Sequence, residues 1–212
     1  MKSFVKALLV LAVLFSVLLS HSAFAKSLIA FQHKWAMANY EVSGDTQAAA
    51  FETLIGEINA AVATDPDNAE LLIWKAIIES TYAGKASVLT ALGLVKSARN
   101  ALEQSLEIDP MALNGSAYTS LGALYYQVPS WPIAFGSSKK ARQNLLKAIE
   151  VNPNGIDSNY FYGAFLAEEK EYDEARVALQ KALLAPARPG REIADKGRRE
   201  EITALLGQID NR

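Results

Sequence analysis

Ala141-Arg142-Gln143-Asn144-Leu145-Leu146-Lys147-Ala148-Ile149-Glu150-Val151-Asn152-Pro153 decides the fold, because the chain repeats it. Thirty-four residues later stands Ala175-Arg176-Val177-Ala178-Leu179 through Ala185-Pro186, and 43 residues earlier Ala98-Arg99-Asn100-Ala101-Leu102 through Ile108-Asp109-Pro110. A fainter version, Ile58-Asn59-Ala60-Ala61 through Asp65-Pro66, precedes them. Ala175, Leu179 and Ala182 recur on one face of a 3.6-residue helix, as do Ala141, Leu145 and Ala148, and a proline then stops each helix. A period of this size with helical spacing inside it marks stacked supersecondary units, none of which can bury its apolar face alone.

Thirty-four residues is the period of the tetratricopeptide repeat, a pair of antiparallel helices. In the last unit Tyr162-Gly163 and Leu166 match the first helix, and Ala175, Leu179 and Ala182 the second. Gly163 and the two alanines let the helix backbones approach while Tyr162, Leu166 and Leu179 fill the gaps. The preceding unit matches with Leu121-Gly122 and Tyr125 followed by Ala141, Leu145 and Ala148; Lys170 stands where the turn glycine is usual. Upstream, 28–40 and 46–63 read as a further pair broken at Ser43-Gly44-Asp45, and the unit around Trp74 admits more than one register. The expectation is an all-α solenoid: about four helix pairs over 26–187, then a capping helix within 188–212 with Ile193, Ile202, Leu205 and Leu206 inward and Arg198, Arg199, Glu200 and Glu201 outward.

Two units carry extra length between their helices, about Gly84 to Val95 and about Val128 to Ser138. Equivalent insertions emerge on one edge of a solenoid and should meet. Val88, Leu89, Leu92, Trp131, Ile133 and Phe135 are costly to leave in water, so two arrangements are open: a satellite core in which the insertions pack on each other, or the flanks of a binding site, with a proline-stiffened Trp131 and a flexible Gly136-Ser137-Ser138.

Residues 1–25 have the form of a cleavable secretory leader: Lys2 and Lys6, an apolar run from Ala7 to Leu19, and the small-x-small site Ala23-Phe24-Ala25. The expected mature protein begins at Lys26 and is soluble in the periplasm, with no stable membrane insertion. The chain carries a formal charge of −2, which loss of the two leader lysines takes to −4, too weak a field to imply nucleic acid. It has no cysteine, which excludes disulfides, thiol nucleophiles and thiolate metal sites, and His33 is the one histidine outside the leader. No phosphate-cradling glycine loop, nucleophile elbow or His-Glu-x-x-His motif is present, so no catalytic or metal residue and no cofactor is assigned. The acids from Glu168 to Glu174 read as a solvated turn interrupted by Lys170.

The run Tyr118-Thr119-Ser120-Leu121-Gly122-Ala123-Leu124-Tyr125-Tyr126-Gln127-Val128-Pro129-Ser130-Trp131-Pro132-Ile133-Ala134-Phe135-Gly136, with Asn152-Pro153-Asn154-Gly155-Ile156-Asp157 and Asn159-Tyr160-Phe161-Tyr162-Gly163, resembles exported bacterial tetratricopeptide proteins grouped as the T component associated with TRAP transporters. The likeness spans about Leu71 to Leu184. It implies a non-enzymatic periplasmic adaptor whose groove engages another envelope protein, a TRAP substrate-binding component among the candidates. The alternative is a small-molecule carrier with its pocket between the groove and the paired insertions. In such an architecture first helices line the concave face, which makes Thr119, Tyr126, Gln127, Asp157 and Tyr160, together with Trp131 and Phe135 on the edge, the candidate binding residues. Tyr125 and Tyr162 are assigned to packing.

Overall fold

The computed structural model describes residues 28–211, so the leader and the cleavage site at Ala25 lie outside the described residues. Among the described residues the chain is helical with no strand beyond a single bridge between Ser130 and Gly136. The helices are α1 (28–40), α2 (Gly44–Thr64), α3 (Ala69–Ala83), α4 (Val88–Ile108), α5 (Ala112–Gln127), α6 (Ser138–Val151), α7 (Ile156–Glu168), α8 (Tyr172–Leu183) and α9 (Glu192–Asp210). Consecutive helices pair most extensively as α3 with α4, α5 with α6 and α7 with α8, and α5 also touches α3 and α7. The result is a tetratricopeptide-like solenoid, in which the Trp74 register resolves to α3 as the first helix of its pair.

The repeat signature is the packing code. Ala98, Leu102, Ala141, Leu145, Ala148, Ala175, Leu179 and Ala182 are each 0% exposed. A Cβ on Gly163 would sit 2.7 Å from Leu179 Cγ, so the absence of a side chain sets the α7–α8 spacing. Helix starts are capped by short polar side chains: Asn68, Ser87 and Ser137 accept from the amides of Leu71, Thr90 and Lys140 at 3.1, 3.4 and 3.3 Å. At the α7–α8 turn Lys170 adopts φ 65°, the left-handed conformation a glycine usually supplies.

The first insertion is not a loop. Only 84–87 separate α3 from α4, and Val88 to Val95 form the opening turns of α4. Val88 and Leu89 are 75% and 86% exposed and Trp131 and Ile133 85% and 65%, so of the two open arrangements the satellite core, with the insertions packed on each other, does not occur. Phe135 alone turns inward, edge-on to Tyr125 at 5.7 Å and under the Arg99 guanidinium at 4.6 Å. Gly136, Ser137 and Ser138 are tied down rather than flexible: the Gly136 amide donates to Pro129 O at 2.9 Å, the Ser137 amide to Tyr125 O at 2.7 Å, and the Ser138 hydroxyl to Glu169 Oε1 at 2.9 Å.

The C-terminal helix also departs from expectation. α9 packs on α8 through buried Ile202 and Ile209, as a cap should, but it touches α7 and reaches back to α1. A Cβ on Gly197 would lie 2.3 Å from the Tyr40 ring, and Ala194 joins a core of Phe31, Trp35, Trp74 and Ile78. Arg198 therefore faces inward and is buried, instead of outward. Arg199 also turns toward the protein, closing the end of α8 by donating to the carbonyls of Leu183 and, at 2.7 Å, Ala185. Glu201 pairs with Arg198 at 2.5 Å, and Glu200 is the member of that quartet left exposed.

Candidate functional site

Where α9 folds back toward α1, the concave side narrows to a partly open cavity of about 300 Å³. Its floor is α5 and α7, the first helices the repeat pattern predicts there: Ser116, Thr119, Ala123 and Gln127 from α5, Asp157 and Phe161 from α7. Its walls are Trp74, Ile77 and Thr81 of α3 and Gln32 and Trp35 of α1; Arg188, Arg191 and Arg198 complete it. The entry to α5 is unusual. Leu113, Asn114 and Gly115 take φ of 48°, 55° and 70°, a left-handed turn that places Leu113 and Asn114 on the cavity wall. Two non-glycine residues held in that region are strained backbone bordering a cavity.

One acid organises the closure. Asp157 accepts from Arg188 Nη1 at 2.6 Å and from Arg198 Nε at 2.9 Å. Arg188 also pairs with Asp195 at 2.6 Å. Burial by itself would raise the Asp157 carboxyl, yet Arg198 and Arg188 hold it well below the usual carboxylate range. The Arg198 guanidinium in turn lies 4.3 Å over the Tyr160 ring and 4.7 Å over Phe161. The network thus bolts α9 and the segment before it onto the first turn of α7.

Trp74 and Arg191 form a second feature. The Arg191 guanidinium stacks 5.1 Å over the Trp74 ring, and neither the Trp74 Nε1 nor the Arg191 Nε has a hydrogen-bond partner although both are buried. Trp35, edge-on to Trp74 at 5.9 Å, is satisfied by donating to Thr81 Oγ1 at 3.0 Å. Burial and the nearby Arg188 push the Arg191 pKa down.

Of the residues singled out from the sequence, Thr119, Gln127 and Asp157 share the cavity wall. Tyr126 and Tyr160 stand beside it. Tyr126 packs on Phe165 at 5.8 Å and accepts from Gln127 Nε2 at 3.0 Å, Tyr160 packs on Phe161 at 5.0 Å, and burial raises both phenols. Trp131 and Phe135 do not line the cavity, so the pocket lies between the groove and the C-terminal arginines, and the paired insertions take no part in it. Sequence reasoning missed Trp74, Arg188, Arg191 and Arg198. The available signal was a cluster of arginines just after Pro186, a point where a plain cap needs none.

Residues 79–110, the end of α3 and all of α4, match the tetratricopeptide repeat family. No curated protein matches the chain. Among solved structures the chain is similar to a crystal structure of MamA, with 21% identity, TM-score 0.46, and coverage of 80% of this chain and 95% of that one. A second MamA structure, labelled AMB-1, has 20% identity, TM-score 0.46, and coverage of 84% and 93%. A third MamA structure has 20% identity, TM-score 0.45, and coverage of 84% and 90%.

Proposed function

We propose that this chain is an exported, non-enzymatic adaptor that binds another envelope protein through the turn edge of its solenoid. The observation that carries the proposal is the row of exposed apolar side chains there: Val88, Leu89, Trp131 and Ile133 at 75, 86, 85 and 65% exposure. They stand where a first helix hands over to a second, one pair in the opening turn of α4 and the other in the α5–α6 connection. Large apolar groups left in water on one edge of a rigid scaffold are the usual mark of a partner site, and tryptophan is enriched among residues that anchor one. The edge replaces the groove as the docking surface, since the C-terminal arginines already occupy the concave face. The secretory form of residues 1–25 supports a periplasmic site of action, and no helix among the described residues is long and apolar enough to cross a membrane. The likeness of residues 71–184 to TRAP-associated T components makes a TRAP substrate-binding protein the first partner to test.

The test is capture of a purified TRAP substrate-binding protein by the full chain and by Trp131→Ala. An exposed substitution should leave stability within about 0.5 kcal/mol, while capture falls roughly tenfold or more, as loss of an interface anchor does. Equal capture by the folded variant refutes the edge. Mass spectrometry of exported protein should show Lys26 as the first residue. A second reading, a small-molecule carrier, is favoured by one observation, the cavity on the concave side.

A further inference from the structure

The turn edge that exposes Val88, Leu89, Trp131 and Ile133 also carries an unbalanced charge. The chain as a whole is net acidic, yet residues 80–102 and 111–149, which supply this edge, contain no Asp or Glu. Arg99, Arg142 and Lys147 of these segments pair with Glu103, Glu171 and Glu150 from outside them. Lys85, Lys96, Lys139 and Lys140 are exposed and enter no ion pair among the described residues. The Arg99 guanidinium lies 4.6 Å over the Phe135 ring, which seats the α5–α6 connection against α4 and joins the two segments on one surface.

Some of these cations stand against their own helix. α2, α3, α7, α8 and α9 each carry an acid in the first turn, as the positive end of a helix dipole favours. α6 opens with Lys139 and Lys140 instead, and α4, which follows Lys85, has no acid in its first turn. The stability of the free chain does not account for lysines there; a negative surface brought up to them does. The apolar anchor is preorganised: the Ile133 amide donates to Ser130 O at 3.1 Å and the Gly136 amide to Pro129 O at 2.9 Å, in a loop that holds Trp131 outward. The next turn along the edge has the opposite sign. Ser138 donates to Glu169 at 2.9 Å and Arg142 pairs with Glu171, so the α7–α8 turn, with Glu168 and Glu174 exposed, abuts the α5–α6 connection. A flat anionic surface laid on the edge would meet these acids, whereas a protein can be shaped to stop short of them. We propose that the edge takes a protein whose contact face is an apolar pocket ringed by carboxylates, the pocket receiving Trp131 and Ile133 and the carboxylates facing Lys85, Lys139 and Lys140. The proposal rests on the edge as the protein-docking surface and adds the charge of the partner.

The test follows association and dissociation of a purified TRAP substrate-binding protein on the immobilised full chain by surface plasmon resonance. The double variant Lys139→Glu/Lys140→Glu reverses two charges where glutamate suits the helix dipole, so folding is preserved. At about 20 mM NaCl it should associate about tenfold or more slower, with dissociation changed less than about threefold. Raising NaCl to about 0.5 M should slow association of the unaltered chain by a similar factor. Trp131→Ala should instead speed dissociation about tenfold. Glu168→Gln should leave association unchanged or faster; slowing to match the lysine variant would make the partner's face cationic and overturn the inference. A lysine variant that associates at the unaltered rate also overturns it, while the edge stands if Trp131→Ala still weakens capture. No capture at either salt concentration, or capture that Trp131→Ala leaves intact, refutes the edge and the inference together. Sedimentation with phosphatidylglycerol vesicles that Trp131→Ala abolishes would give the edge to a lipid surface, and a concentration-dependent dimer lost in that variant would give it to a second copy of this chain; either result overturns the carboxylate-ringed protein.

Discussion

Replacing Asp157 by Asn tests whether one carboxylate bolts the C-terminal helix to the repeats. The wild-type carboxylate takes Arg188 at 2.6 Å and Arg198 at 2.9 Å. Removing one member of a fully buried pair costs about 3–5 kcal/mol, but three features reduce that here. The Asp157 side chain is 33% exposed, Arg188 and Arg198 keep Asp195 and Glu201, and an Asn oxygen still accepts one bond. The expected loss is about 2–3 kcal/mol, near the worth of one charged hydrogen bond, and a fall in Tm of roughly 4–12 °C for a chain of this size. The pH dependence supplies the check on mechanism. The arginines depress the folded pKa of Asp157, so its contribution is full above the unfolded value of about 4 and is lost as the pH falls toward the folded one. Asn does not titrate, so the stability gap between the two proteins should be larger at pH 7 than at about pH 3. Denaturant melts followed by circular dichroism at both pH values measure it. A gap absent at pH 7, or equally large at both, would refute the assigned role.

Two further substitutions probe the repeat. Lys170→Gly places the residue that tolerates φ 65° in an exposed turn, and should stabilise by about 0.5–1 kcal/mol in a thermal melt, the strain relieved outweighing the extra freedom of the unfolded chain. Gly163→Ala drives a methyl to 2.7 Å from Leu179 Cγ and 3.2 Å from the Ala175 carbonyl, the second of which cannot rotate away; a loss of about 1–3 kcal/mol is expected, and a neutral result would mean that α7 and α8 separate freely.

How much of this was legible depended on the range of the interaction. The fold lay in local pattern: the Ala-Leu-Ala face of α6 and α8 and its Ala98-Leu102 counterpart in α4, Gly122 and Gly163 opposite Leu145 and Leu179, and the prolines at helix ends need only a few dozen residues to be read. The first-helix residues Thr119, Gln127 and Asp157 could be placed on one face for the same reason. Arg198 could not, because apolar periodicity assigns a charged residue to solvent, and its burial is compensated by Asp157, 41 positions earlier. Trp74 was visible as a residue of ambiguous register, yet its contact with Arg191, 117 positions later, exists only in the folded chain. Trp131 failed in the opposite direction. That large apolar side chains are buried is a one-way tendency, and Trp131 is 85% exposed on the edge of the solenoid.

The return of α9 explains why both surfaces coexist on so few helices. A solenoid has two ends, each exposing an apolar face unless something covers it. Here one helix serves both: Ile202 and Ile209 belong to the main core of the repeats, while Ala194 and Gly197 reach the α1 group around Trp35 and Tyr40. Spanning from the last repeat to the first requires α9 to cross the concave side, and whatever it carries there becomes a wall. Arg198 is the residue α9 presents to the concave-side cavity, and its charge is met there by Asp157. The same return places Arg198 on the wall of that cavity, while Trp131 on the turn edge stays exposed.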